Sequence, residues 1–241
     1  MLLAADIGNS NITIGIFDKD CLIETCRFVS DLETDYESQL AKISHNITDC
    51  VIVSVVEELS LVFKTACDNV FGIESKIISS KNIDIKIDLA EPEKVGMDRL
   101  INAYAAMKKY PLPLIVVDIG TAITFDIVSG EGAFIGGVIM PGLNLQFQAL
   151  NRYTSKLPLI TEYSSEKAIG ANTKDAILSG VIKGTICGIE GLIEQCESEL
   201  GERATVVATG GQSVIISSKR FDFINPNLTL EGLYKAHVNL Y

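Results

Sequence analysis

The sequence predicts an α/β fold in which one unit occurs twice, each copy a mixed β-sheet that opens with a three-strand meander and is flanked by helices. Three observations carry that reading. The turn Asp6-Ile7-Gly8-Asn9-Ser10-Asn11 follows an apolar run at 2–5 and precedes an alternating run at 12–18. The same order returns at 115–126, around Asp118-Ile119-Gly120-Thr121, and the two aspartates stand 112 positions apart. Self-similarity at that scale marks a duplicated domain. Beyond each meander, apolar strands alternate with helical patterns, which favours the α/β class.

The elements follow in order. In the first half, residues 21–28 read as a third strand, and 31–47 as a helix with Tyr36, Leu40, Ile43 and Ile47 on one face. Residues 51–56 form an apolar strand of the fully buried kind, followed by a helix at 57–70 and two short strands at 76–79 and 83–87. Gly96-Met97-Asp98-Arg99 then opens a helical run to Tyr110. Pro111 and Pro113 punctuate the chain and divide it into domains 1–112 and 113–241. In the second half, 114–119, 122–128 and 133–139 give three strands again, Pro141-Gly142 starts a helix that runs to Tyr153, and 174–200 is a long helix. Gly180, Gly184, Gly188 and Gly191 fall on nearly one face of that helix. Each costs about 1 kcal/mol relative to alanine, so a close neighbour, within the chain or across a dimer seam, is expected to compensate. A late strand at 204–208 ends in Thr209-Gly210-Gly211, and a helix from Leu230 closes the chain.

Composition narrows the function. A chain of 241 residues with 47% hydrophobic and 21% charged residues is that of a soluble globular protein of one or two domains. Its formal net charge of −11, with no basic stretch, argues against a nucleic-acid partner. Cys21, Cys26, Cys50, Cys67, Cys187 and Cys196 show no C-x-x-C and no adjacent histidine, which predicts reduced, mostly core cysteines and no zinc site. No basic n-region precedes the first apolar run, and no apolar run reaches the roughly 20 residues of a membrane helix. A cytoplasmic protein is expected.

The chemistry gathers on the turns. An apolar strand, a tight turn of one carboxylate, one glycine and small polar residues, and an alternating strand make a hairpin suited to a phosphate chain. Gly8 is expected to adopt a backbone shape closed to other residues and to leave amide N–H groups facing an anion. Beside a phosphate, Asp6 implies a metal. At a helix start, Asp98 and Arg99 stand near the positive end of the macrodipole, where a carboxylate is stabilised and an anion attracted. The same pair also suits a cap and a surface ion pair. Thr209-Gly210-Gly211 reads as a close backbone approach to a nucleotide or as a plain turn. No G-x-x-x-x-G-K-[ST] occurs, so any ATP chemistry is not of the P-loop kind. His45 and His237, each in an expected helix, read as structural.

Taken together, the paired hairpins resemble those of the actin, sugar-kinase and heat-shock ATPase superfamily, of ribonuclease H-like fold. A closer resemblance, along essentially the whole chain, is to the type III pantothenate kinases. It rests on Asp6 to Asn11, on Pro92 through Gly96-Met97-Asp98-Arg99-Leu100, on Asp118 to Asp126, on Gly136-Gly137 to Pro141-Gly142, and on Leu157-Pro158, Ile169 to Thr173 and Ala208 to Gly211.

That resemblance implies transfer of the γ-phosphoryl of ATP to the primary hydroxyl of pantothenate, the first step of coenzyme A biosynthesis, by a homodimer. It implies Asp98 as general base in a substrate run Gly96, Met97, Asp98 and Arg99, with Thr173 contributing from a second segment. It further implies ATP held by Asp6, Ile7, Gly8, Asn9, Ser10, Asn11, Ile12, Thr13 and Thr121, magnesium near Asp6, and potassium or ammonium at Asp118. Two positions depart from the family pattern: Leu89 stands where a tyrosine is usual, and Gln146 where a serine is usual. A kinase of a related hydroxy acid and a nucleotide-binding accessory or regulatory protein of the same fold are the alternative readings.

Overall fold

In the computed structural model, residues 1–164 and 167–239 are described. The chain forms two compact units, Met1–Lys109 together with the segment that begins at Asn227, and Tyr110–Pro226.

The first unit opens with β1 (Leu2–Ile7), β2 (Asn11–Asp18) and β3 (Cys21–Val29), an antiparallel meander. A short helix α1 (Tyr36–Leu40) leads to β4 (Asp49–Ser54), which runs parallel to β1, then to α2 (Glu57–Phe71) and β5 (Lys76–Ile77), parallel to β4. The order β3-β2-β1-β4-β5 is the result. After it come a brief strand β6 (Lys86–Ile87) and helix α3 (Met97–Met107). Side chains alternate across a strand, so β1 sorts its residues onto two faces. Leu3, Ala5 and Ile7, with Ile12, Ile14, Ile16 and Ile52, face a core closed by Tyr36, Leu40, Leu59 and Phe63 of α1 and α2. The opposite face carries Asp6 in register with Thr13 and Val53.

The second unit repeats the plan with β7 (Leu114–Ile119), β8 (Ala122–Val128), β9 (Ala133–Pro141), helices α4 (Leu143–Arg152) and α5 (Thr173–Leu200), β10 (Thr205–Thr209) and β11 (Phe223–Ile224). Its strands run β9-β8-β7-β10-β11, the order of the first unit, with β10 parallel to β7 and β11 parallel to β10. Ile115, Val117, Ile119, Ile123, Phe125 and Val206 make a core with α4 and α5 on one face. Asp118 lies on the other.

The structure changes several expectations. Residues 31–47 form only α1, because the Asp35 carboxylate accepts from the Ser38 N–H at 3.0 Å and caps the helix at that point. The chain before it wraps the Tyr36 hydroxyl, which donates to the Val29 carbonyl at 2.7 Å. His45 therefore sits outside any helix, with Nε2 2.8 Å from Glu24. The short strands shrink to β5 and β6 around a single 3-10 turn at Ser80–Asn82. Helix α6 (Leu228–Val238), expected in the second domain, belongs to the first unit. Only Cys50 and Cys67 are buried; Cys21 and Cys187 are exposed, and all six thiols are free.

Helix α5 is long and apolar enough to cross a membrane by length and composition, against the expectation. Its apolar side is used: Ile177, Val181, Ile182, Ile189 and Ile193 line the second core. On the other side, a Cβ added at Gly180, Gly184 or Gly191 would meet nothing within 4 Å, so no neighbour among the described residues compensates those glycines.

Candidate active site

The first hairpin is built by hydrogen bonds that leave its tip open. The Gly8 N–H donates to the Asn11 carbonyl at 3.0 Å, and the Ser30 hydroxyl donates to the Gly8 carbonyl at 2.6 Å. Asn9, Ser10 and Asn11 are exposed, whereas Ile7 and Ile12 are buried beneath them and serve to anchor the turn. Gly8 does not have a positive φ. Its role is steric, since a Cβ there would press the Asn11 carbonyl at 3.3 Å. Asp6 is half-buried, one pleat below the tip and beside Thr13.

The Asp6 face of the sheet is also the face that receives α6. Tyr234 stacks on Phe17 at 4.8 Å, and a Cβ on Gly15 would stand 2.9 Å from Leu230. Helix α6 in turn holds α3. Gly232 lies so close that a Cβ would be 2.8 Å from the Ile101 carbonyl, and the Thr229 hydroxyl donates to Asn102 Oδ1 at 2.7 Å. Lys109 pairs with Glu231 at 2.8 Å. Thus Asp6 and the helix bearing Asp98 lie on one side of one sheet.

Asp98 occupies the first turn of α3, after the N-cap Gly96. A Cβ on this cap would stand 2.5 Å from Asp98 Oδ1, so a side chain there would displace the Asp98 carboxylate. Gly96, Met97, Asp98 and Arg99 are all half-buried. Burial raises the Asp98 pKa above the ordinary 3.8, and the Arg99 N–H and guanidinium only partly oppose the shift. A carboxylate so placed is a better base than a solvated aspartate. No histidine serves here: His45 is tied to Glu24, and His237 on α6 is held below its ordinary pKa by burial.

The second hairpin has a turn one residue shorter, with Ile119 paired to Ile123 where Ile7 pairs to Ile12. The Gly120 N–H donates to the Ala122 carbonyl at 3.0 Å. Pro141-Gly142 is fitted against this turn. The Gly142 N–H donates to the Thr121 carbonyl at 3.0 Å, and a Cβ on Gly142 would collide with the Gly120 and Thr121 carbonyls. Gln146, the departure from the family pattern, donates through Nε2 to the Pro141 carbonyl at 2.9 Å and to the Thr185 hydroxyl at 3.0 Å. It fastens the turn to α5. Leu89 is half-buried in a bend.

Asp118 stands in register with Thr209 on β10 and Thr124 on β8, three oxygen-bearing side chains across three strands. Gly210, at φ 86°, lets β10 end against this carboxylate; a Cβ there would strike Asp118 Oδ1. The Thr209-Gly210-Gly211 turn was legible in the sequence, whereas its lateral pairing with Asp118 was not. Thr173 is the exposed first residue of α5, behind the N-cap Asn172, which accepts from the Asp175 N–H at 2.9 Å. Beside it lies a concavity of about 380 Å³ lined by Glu162, Lys167, Ile169, Gly170, Lys174 and Asp175.

Among the described residues, no three His, Cys, Asp or Glu side chains gather into a metal cage. The Asp6 carboxylate at the first hairpin fits a different mode, in which magnesium takes one or two carboxylates and completes its shell with phosphate and water.

Comparison with known proteins gives a consistent family. Residues 2–195 match the family model described as type III pantothenate kinase. A type III pantothenate kinase of Paramagnetospirillum magneticum is 37% identical over 98% of this chain and 96% of its own. Among solved structures, a Campylobacter jejuni protein provisionally described as a Baf family transcriptional activator superposes with a TM-score of 0.65 at 22% identity, covering 99% of this chain and 98% of its own. MreB 5 of Spiroplasma citri, bound to AMPPNP, superposes with a TM-score of 0.55 at 12% identity, covering 99% and 95%. These likenesses give the fold, a duplicated actin-like α/β architecture.

Proposed function

Because the chain belongs to the type III pantothenate kinase family, we propose that it transfers the γ-phosphoryl of ATP to the primary hydroxyl of pantothenate, the opening step of coenzyme A biosynthesis. The observation that carries the mechanism is Asp98, half-buried at the start of α3 with its pKa raised by burial. Its carboxylate accepts the proton of the attacking hydroxyl. Gly96 and Met97 border the substrate, Arg99 meets the pantothenate carboxylate beside the positive end of α3, and Thr173 adds a hydroxyl from α5.

Phosphoryl transfer is mostly positioning and charge neutralisation. Asp6 to Thr13 supply the first hairpin's amides, hydroxyls and one carboxylate, and Thr121 supplies a contact from the second. Asp6 would hold magnesium and Asp118 potassium or ammonium; these cations, when bound, neutralise phosphate charge. The open glycine face of α5 supports the homodimer reading, since a second copy would cover what the chain leaves bare. A cytoplasmic location, with no nucleic-acid or membrane partner, agrees with the net charge of −11.

The alternative of an accessory nucleotide-binding protein gains nothing from the Campylobacter likeness, which at 22% identity speaks for fold alone. A pure binding module has no use for a base beside an anion-binding arginine. The test is phosphorylation of pantothenate by the purified chain with ATP, magnesium and potassium, with Asp98→Asn in parallel. The native chain is expected to be active and the variant reduced roughly 10² to 10⁴-fold in kcat, the usual range for a general base. Activity absent from both, with ATP still bound, would sink the pantothenate reading.

A further inference from the structure

Thr209 is fully buried, and its hydroxyl oxygen has no hydrogen-bond partner among the described residues. Buried hydroxyls are nearly always satisfied, so an orphan at a strand end calls for a partner the described residues do not supply, a water or an ion. Its position says which kind. Thr209 is the lateral neighbour of Asp118 in a parallel pair, so the two side chains leave the sheet on the same face, about 4.8 Å apart at the backbone. Gln212, whose N–H donates to the Ile119 carbonyl at 3.0 Å, has a second buried side-chain oxygen without a partner among the described residues.

The donors here are oxygens only, which suits a hard cation and not zinc or copper. One carboxylate among neutral oxygens balances a single positive charge. We propose that Thr209, through its hydroxyl oxygen, is a direct ligand of the monovalent cation held by Asp118. The inference rests on the cation role given to Asp118 above. The hydroxyl oxygen accepts the cation, and its proton turns away from the metal.

Thermal unfolding in increasing potassium chloride, against choline chloride at equal ionic strength, reads binding without reference to catalysis. Native protein is expected to be stabilised by potassium specifically. Thr209→Val keeps the shape and removes the orphan oxygen, so without potassium it should be at least as stable as the native chain. With potassium, its half-saturating concentration should rise at least tenfold, so the two stability curves cross. Thr209→Ser should keep the native response, and Asp118→Asn should lose it.

A native potassium response in Thr209→Val, with Asp118→Asn unresponsive, would remove Thr209 from the shell and leave the Asp118 reading standing. A full response in Asp118→Asn, or none in the native chain, would overturn the Asp118 reading and this inference with it.

Discussion

Asp98 is a carboxylate whose burial costs stability at neutral pH. Its folded pKa lies above the ordinary 3.8 because burial disfavours the ionised form. The neutral carboxyl is therefore the form the fold prefers: the stability it contributes is full below the unfolded pKa and is lost as pH rises through the folded one. Asp98→Asn removes the buried charge, so its unfolding midpoint should exceed that of the native chain at neutral pH, with the gain shrinking as pH falls towards 4. Scanning calorimetry at several pH values checks it; a lower midpoint for the variant at neutral pH would contradict the burial account. Local sequence offers Asp98 only the helix macrodipole, which stabilises a carboxylate, because desolvation depends on neighbours that local sequence does not name. The expected special backbone is not found at Gly8; what a side chain there would meet is the nearby Asn11 carbonyl.

Among the elements, α6 was expected as a helix but in the second domain, and from its place in the first unit it does the most to position α3. Its Gly232 admits Ile101 and Ala105 at a distance no side chain would allow. Gly232→Ala should cost about 1–3 kcal/mol by overpacking, measured by urea unfolding. Thr229→Val deletes the bond to buried Asn102 and should cost about 1 kcal/mol by the same measurement. Strands and hairpins were legible because their period-2 alternation and Asp-Ile-Gly turns are local signals. The helix at 31–47 was misread because Tyr36, Leu40, Ile43 and Ile47 share a helical period, yet only Tyr36 and Leu40 reach the core from α1, whereas Ile43 and Ile47 reach it from irregular chain.

At the scale of the whole molecule, the duplication visible in two turns extends to a five-strand order that both sheets share, β3-β2-β1-β4-β5 and β9-β8-β7-β10-β11. Four glycines share one face of α5, and a Cβ added at three of them would meet nothing within 4 Å among the described residues. Gly184→Arg has room in the single chain and improves helix propensity, so the fold should persist by circular dichroism. If the glycine face is the homodimer seam, the variant should run as a monomer in light scattering where the native chain runs as a dimer. A variant that stays dimeric would place the seam elsewhere.

By itself the sequence determined the fold class, the repeated hairpins and the family to which their ordered motifs point, since each is written in contiguous residues with their own periodicity and turn chemistry. Tertiary structure decided what depends on residues far apart in the chain. It returned α6 to the first unit beside α3, raised the pKa of Asp98 by burial, and set Thr209 against Asp118 across two parallel strands. Burial and lateral strand pairing are properties of the packed chain, and no local window encodes them.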